Sequence, residues 1–304
     1  MIDMESYNCD IADDLVCIKT IADGSCLFHS ILTSYSTRYL RLTDDEKKEK
    51  VKNVRKNFST QLTKDEWMSI GHGEASKHAF FTSLRDIIEH IYSFFSGEDN
   101  ILEEEIKNEI EKNRRVFEFI FKRIGKETLQ DKIIQDTSKT RGDVYFSASS
   151  FCNLVKKHLK KTYMKRLNEA DESKFLIILE TSIDFFQFLT QSCINKCFIS
   201  FKKKLEDPEE WMDFEYIPLI SDLFDVNIYF IDDVTKQPYI TGKDKFLYDA
   251  GRKCIILIWQ NQCHFNVLGV MDNNGAKTTF DIEDPIIQKI HNYATNNNNK
   301  INNN

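Results

Sequence analysis

Glycine and proline are scarce in this chain, at 10 and 4 of 304 residues. Tight turns depend on those two residues, so a chain this poor in them is ill suited to an all-β sandwich and must spend its length on long helices. The middle of the chain shows where. Leu84, Ile87, Ile88, Ile91 and Phe95 form one apolar stripe at helical spacing, and Ile106, Ile110, Phe117, Ile120 and Ile124 form another on a strongly charged background. Phe175 to Leu179 has the composition of a strand, but Leu179, Ile183, Phe186 and Leu189 continue it at helical spacing, so a helix is expected from Leu176 to Leu205.

Strand signals lie at the two ends. Leu15-Val16-Cys17-Ile18 is a short apolar run, followed by Ala22-Asp23-Gly24-Ser25, which reads as a turn. Cys26 then opens a segment with apolar residues at 27, 28, 31 and 32, so it sits where a turn enters a helix. Trp211 to Phe224 reads as a short helical region, with Pro218 near its start or at a kink. Val226 to Ile231, Cys254 to Trp259 and His264 to Val270 are strand candidates, the last two joined as a hairpin by the turn Asn261-Gln262-Cys263. The expected class is α+β. Residues 286–304 are Asn-rich and low in complexity, and a disordered tail is expected there.

Composition narrows the setting. A net charge of −7 gives no global attraction to nucleic acid, and the local runs Lys156-Lys157-His158, Lys160-Lys161 and Lys202-Lys203-Lys204 read as solvated helix faces. No apolar run is long enough to span a bilayer, and the acidic start MIDMESYNCDIADD carries no secretory signal, so neither a membrane nor an oxidising compartment is expected. The eight cysteines show no C-x-x-C pair, and Cys193 and Cys197 lack companions for a zinc site. An intracellular, reducing environment in which Cys26 stays a free thiol follows. The abundance of Lys, Ile, Phe and Asn suggests an AT-rich genome, as in some large DNA viruses or protists.

The chemistry-bearing residues are few. A cysteine attacks carbonyls as its thiolate, which a helix N-terminus and a neighbouring histidine both favour. Cys26 has the first, and the preceding turn offers backbone N–H groups that could cradle an oxyanion, with Gly24 permitting tight geometry. His264 is the best candidate for the base. It starts a strand beside a wholly apolar one, and Asn266, two residues on, shares its face and could fix its tautomer. Each residue also has a plain structural reading. Cys26 could be a small core group, His264 a structural histidine and Asp23 a helix cap. His29, three residues after Cys26, is a rival base, while the histidines at 72, 78, 90, 158 and 291 read as surface residues. Taken alone, these residues reach only as far as a cysteine hydrolase.

A resemblance carries the reading further. The segment from Ile21 to Ser30, IADGSCLFHS, resembles the nucleophile motif of the ovarian-tumour (OTU) family of cysteine proteases: Asp23, Gly24, Cys26, Leu27 and Phe28 match, and His29 stands where the family commonly has Arg. Trp211 to Asp232 and Ile255 to Val270 resemble two further blocks of that family, in family order, and the three together cover about a fifth of the chain. The resemblance implies a papain-like fold, a small β-sheet packed between helices, and hydrolysis of the bond after the C-terminal glycine of ubiquitin. It implies Cys26 as nucleophile, His264 as base and Asn266 as its orienting partner. It also places Asp23 with the catalytic set, and makes the Asp23–Gly24 loop with the Cys26 amide the oxyanion hole. No metal or organic cofactor is implied, and the partners would be ubiquitin or polyubiquitin chains. A non-catalytic ubiquitin-binding module, or a thiol hydrolase acting on another ubiquitin-like modifier, are the alternatives. One departure stands out: about 180 residues separate Cys26 from the Trp211 block. The protease domain is therefore expected to span 1–285 with a helical insertion at about 42–205, which could bind a partner or pack on the core.

Overall fold

The computed structural model describes residues 3–98, 102–163, 169–212, 216–239, 251–261, 263–273 and 275–301. Two compact units divide the chain: Met1–Leu62 with Lys202–Asn304, and Thr63–Phe201. The first opens with β1 (Met4–Ser6), β2 (Leu15–Ile18), α1 (Cys26–Tyr35), α2 (Thr37–Leu40) and α3 (Asp44–Gln61). The second holds α4 (Lys64–Ser69), α5 (Glu74–Ser96), α6 (Glu104–Lys112), α7 (Arg114–Ile124), a π-helical turn at Thr128–Ile134, α8 (Gln135–Ser138), α9 (Val144–Tyr163) and most of α10 (Glu169–Glu206). The first unit then resumes with α11 (Ile217–Phe224), β3 (Val226–Asp232), β4 (Lys253–Gln260), β5 (His264–Asp272), β6 (Gly275–Lys277) and α12 (Pro285–Ile301).

The first unit is built on a six-stranded mixed sheet in the order β1-β2-β5-β4-β3, with β6 pairing with the end of β5. β3 and β4 run parallel, and β5 is antiparallel to both its neighbours β4 and β2. β4 is apolar on both faces because both are covered. Cys254, Ile256 and Ile258 join Tyr229, Ile231 and Leu268 in a core cluster with Ile286, Ile287 and Ile290 of α12. The alternate residues Ile255, Leu257, Phe265 and Val267 are also buried, and α1 packs on β5 and β4. Thus the expected strand pairing of β4 and β5 is present, with Gln260 opposite His264 and Ile258 opposite Asn266.

Local signals set the helix ends. Thr43 caps α3 through a reciprocal pair with Glu46, and acidic residues 44–46 fill its first turn. Pro218 lies in the first turn of α11, and Asp225 ends that helix in the left-handed region at φ 55°. The second unit is all-helical among its described residues and its core is aromatic. Phe117 and Phe185 lie 4.2 Å apart between ring centroids, with Phe121, Phe151 and Phe186 packed around them.

The helical unit is Thr63–Phe201, and α3, inside the insertion expected at about 42–205, presents Val51, Arg55 and Ser59, spaced four residues apart, as a buried face of the first unit. Four expectations are corrected. The stripe from Ile106 to Ile124 is two helices broken at Asn113. The helix expected from Trp211 begins only at Ile217, residues 213–215 and Gln262 of the β4–β5 turn lying outside the described residues. Finally, the tail expected to be disordered from 286 begins as α12, because Ile286, Ile287 and Ile290 complete the apolar cover of the sheet. His291 is accordingly half-buried and 2.7 Å from the Tyr229 hydroxyl, not a surface residue.

Ile256, fully buried in β4, tests this core. Ile256→Ala is expected to lower the unfolding free energy of the first unit by about 2–5 kcal/mol, read as a lower urea midpoint with an unchanged slope.

Candidate active site

Cys26 is the first residue of α1 and is buried at 3% exposure. Ser30, one turn further along α1, has its Oγ 2.7 Å from the Phe265 carbonyl and 2.8 Å from the Cys26 carbonyl, which share its one proton. Thr20 Oγ1 donates to the same Phe265 carbonyl at 2.6 Å. The helix start and the strand start are thereby stitched together, and Cys26 lies beside the residue that follows His264. The segments that carry positions 26 and 264 are thereby joined through Ser30.

The hydrogen bonds around Asn266 determine which nitrogen of His264 carries the proton. Asn266 is buried, and its Oδ1 accepts from the Thr20 backbone N–H at 3.0 Å, a group that can only donate. Its Nδ2 donates to Gln260 Oε1 at 3.0 Å. The amide is therefore fixed in one orientation, and His264 Nε2, 3.1 Å from Oδ1, must be the protonated nitrogen. In the neutral ring this leaves the lone pair on Nδ1. Burial pushes the His264 imidazole below its ordinary pKa, with the Asn266 bond and the Asp23 charge pulling the other way. Burial likewise pushes the Cys26 thiol up, opposed by the Phe265 amide.

His29 is excluded as the base by the same reasoning. Its Nε2 lies 3.1 Å from Asp23 Oδ2, and its Nδ1 is met by the Tyr39 hydroxyl. With Nε2–H donating to the carboxylate, Nδ1 accepts the Tyr39 proton, so both nitrogens are occupied in a ring only 1% exposed. Asp23 is the anchor of the turn. Its Oδ1 accepts the Ser25 N–H at 2.8 Å in an Asx-type turn while Oδ2 holds His29. Among the described residues it makes no hydrogen bond to His264; that contact belongs to Asn266.

The expected oxyanion donor is not free in this structure. The Cys26 N–H donates to the Asp23 carbonyl at 3.1 Å, closing the turn. Gly24 is needed for a different reason from loop flexibility: a Cβ there would overlap the Glu209 backbone. Three residues of the site escaped the sequence reading. Gln260 orients Asn266, Tyr39 closes off His29, and Arg55 hydrogen-bonds the Gly24 carbonyl and Ser25 Oγ. Gln260 could have been found from the hairpin, since pairing across the turn sets it opposite His264. Arg55 sits in a lysine-rich helix that gives no sign of burial. Among the described residues no group of three or more His, Cys, Asp or Glu side chains could hold a metal ion, and no helix is long and apolar enough to cross a membrane.

The Asn266 bond favours the protonated form of His264. Asn266→Ala should therefore lower the His264 pKa further below 6.5, measured by NMR titration of its imidazole protons in both proteins. An upward shift in the variant would contradict the assigned hydrogen bond. No protein-family model matches the chain and no curated protein matches it, so the reading of the site rests on its geometry.

Proposed function

We propose that the chain is a thiol-dependent hydrolase of the OTU type, on a papain-like scaffold, cleaving the isopeptide or peptide bond after the C-terminal glycine of ubiquitin. The observation that carries this reading is a helix-start cysteine on a helix that Ser30 ties to the Phe265 carbonyl of β5, the strand opened by a histidine locked by Asn266 with its Nδ1 lone pair unclaimed by that lock. The choice of ubiquitin as substrate comes from the motif around Cys26 and the ordered blocks that follow it, not from the geometry. The mixed sheet, with α1 on it and β5 presenting His264, is compatible with the papain-like scaffold.

In this reading the resting site is neutral. The thiol pKa is raised and the imidazole pKa lowered by burial, so the proton stays on sulfur until substrate arrives. His264 Nδ1 takes that proton as sulfur attacks the glycine carbonyl carbon, and Asn266 Oδ1 stabilises the resulting imidazolium through Nε2–H. The imidazolium gives the proton to the departing lysine amine, leaving a thioester on Cys26. His264, neutral again, activates the water that hydrolyses the thioester. Negative charge on the carbonyl oxygen requires N–H donors, and the Cys26 amide becomes one only when its bond to the Asp23 carbonyl opens. Substrate entry is the event that would open this turn.

Incubation with a ubiquitin carrying a C-terminal electrophile, followed by intact-mass analysis, tests the proposal. One covalent adduct is expected, absent in Cys26→Ala and reduced by at least about 10²-fold in rate in His264→Ala. His29→Ala should slow labelling less than His264→Ala, since His29 acts only on the turn. Labelling by a probe built on a ubiquitin relative, but not by the ubiquitin probe, would redirect the proposal to that modifier. Ubiquitin affinity with no adduct from any probe would replace the enzyme with a binding module.

A further inference from the structure

Arg55 is fully buried in α3, and its guanidinium donates five hydrogen bonds, none to a carboxylate. Nε reaches the Leu205 carbonyl at 2.8 Å, and Nη2 reaches those of Lys204 and Glu210 at 2.9 Å each. Nη1 reaches Ser25 Oγ at 2.9 Å and the Gly24 carbonyl at 3.3 Å. Lys204 and Leu205 lie in the last turn of α10, where helix carbonyls lack intrahelical partners. Ser25 Oγ in turn donates to the Pro208 carbonyl at 2.7 Å, and Gly24 lies so close to Glu209 that no side chain fits between them. The ring of Phe28, two residues after Cys26, lies 5.0 Å from the guanidinium carbon. One planar cation thus clamps two backbone segments together, residues 24–25 immediately before Cys26 and residues 204–210.

Burying a guanidinium is costly, and a hydrophobic side chain would fill the same space without that cost. A planar fork with five fixed donors can hold carbonyls of two separate segments at once, which no apolar residue can. We propose that Arg55 is a positioning residue for the nucleophile: by pinning the Gly24–Ser25 peptide to the 204–210 segment it holds Cys26 at the head of α1 beside β5. The role in catalysis rests on the hydrolase reading above; the clamp itself does not.

Two measurements on full-length Arg55→Gln, Arg55→Lys and Ser25→Ala separate the two claims. Hydrogen exchange followed by mass spectrometry reads the clamp. The peptide containing residues 22–30 should exchange about ten-fold faster in Arg55→Gln, with Arg55→Lys intermediate and the β4 and β5 peptides unchanged. Labelling with the ubiquitin electrophile reads the catalytic consequence. The maximal inactivation rate should fall about ten-fold with little change in the half-saturating probe concentration, partly restored by Arg55→Lys. Unchanged exchange in the 22–30 peptide, or an equal rise in every peptide, overturns the proposal. If Arg55→Gln fails to fold, Ser25→Ala decides: it removes both the Arg55 bond to Ser25 and the Ser25 bond to the Pro208 carbonyl, and loop exchange equal to wild type overturns the proposal. A wild-type protein that takes no probe would sink the hydrolase reading while the exchange result still stands for or against the clamp.

Discussion

The pairing register of β4 with β5 is the constraint on which the site depends. Gln260 opposite His264 and Ile258 opposite Asn266 put three polar side chains at one end of an otherwise apolar pair of strands. A slip of one residue would turn His264 and Asn266 to the other face and bury Phe265 and Val267 on the wrong one. The apolar clusters on both faces of the sheet forbid that slip, so the burial of isoleucine and leucine side chains determines where the imidazole stands. The Asn266 amide then turns placement into chemistry. A backbone N–H that can only donate fixes which end of the amide faces the ring, and the ring's protonated nitrogen follows.

The elements of the sheet half were legible because each is signalled locally. Cys254–Trp259 is an apolar run of strand length closed by a short turn, and that turn leads β5 back alongside it. The i, i+2 rule was sufficient to anticipate the contact between His264 and Asn266. What stayed hidden depends on long-range packing. The lysine-rich sequence of α3 looks solvated throughout, yet Arg55 is buried and pinned by carbonyls about 150 positions away. The Asn-rich end looks structureless, but three isoleucines at its start outweigh composition by closing the sheet. Asp23 illustrates a role that motif and propensity both describe incompletely: it anchors a turn and orients a histidine, and it does not cap the helix.

The two histidines near the nucleophile show how much a single neighbour decides. Both rings are desolvated and both have pKa values depressed for that reason first. His29 meets a carboxylate on one nitrogen and a phenol on the other, so it is a structural strut. His264 meets one amide oxygen on Nε2. The difference lies not in the histidines but in Tyr39 of the short helix α2, whose hydroxyl occupies the nitrogen that would otherwise be a competing base.

The closed turn before Cys26 has a consequence for the durability of the sulfur. Peroxides and stray alkylating agents attack thiolates that solvent can reach. Here the sulfur belongs to a residue 3% exposed, burial pushes its thiol pKa up, and the amide that would stabilise an anionic adduct is engaged by a carbonyl. Oxidative damage should therefore fall first on Cys263, the exposed cysteine next to His264, and spare Cys26 until the turn is opened.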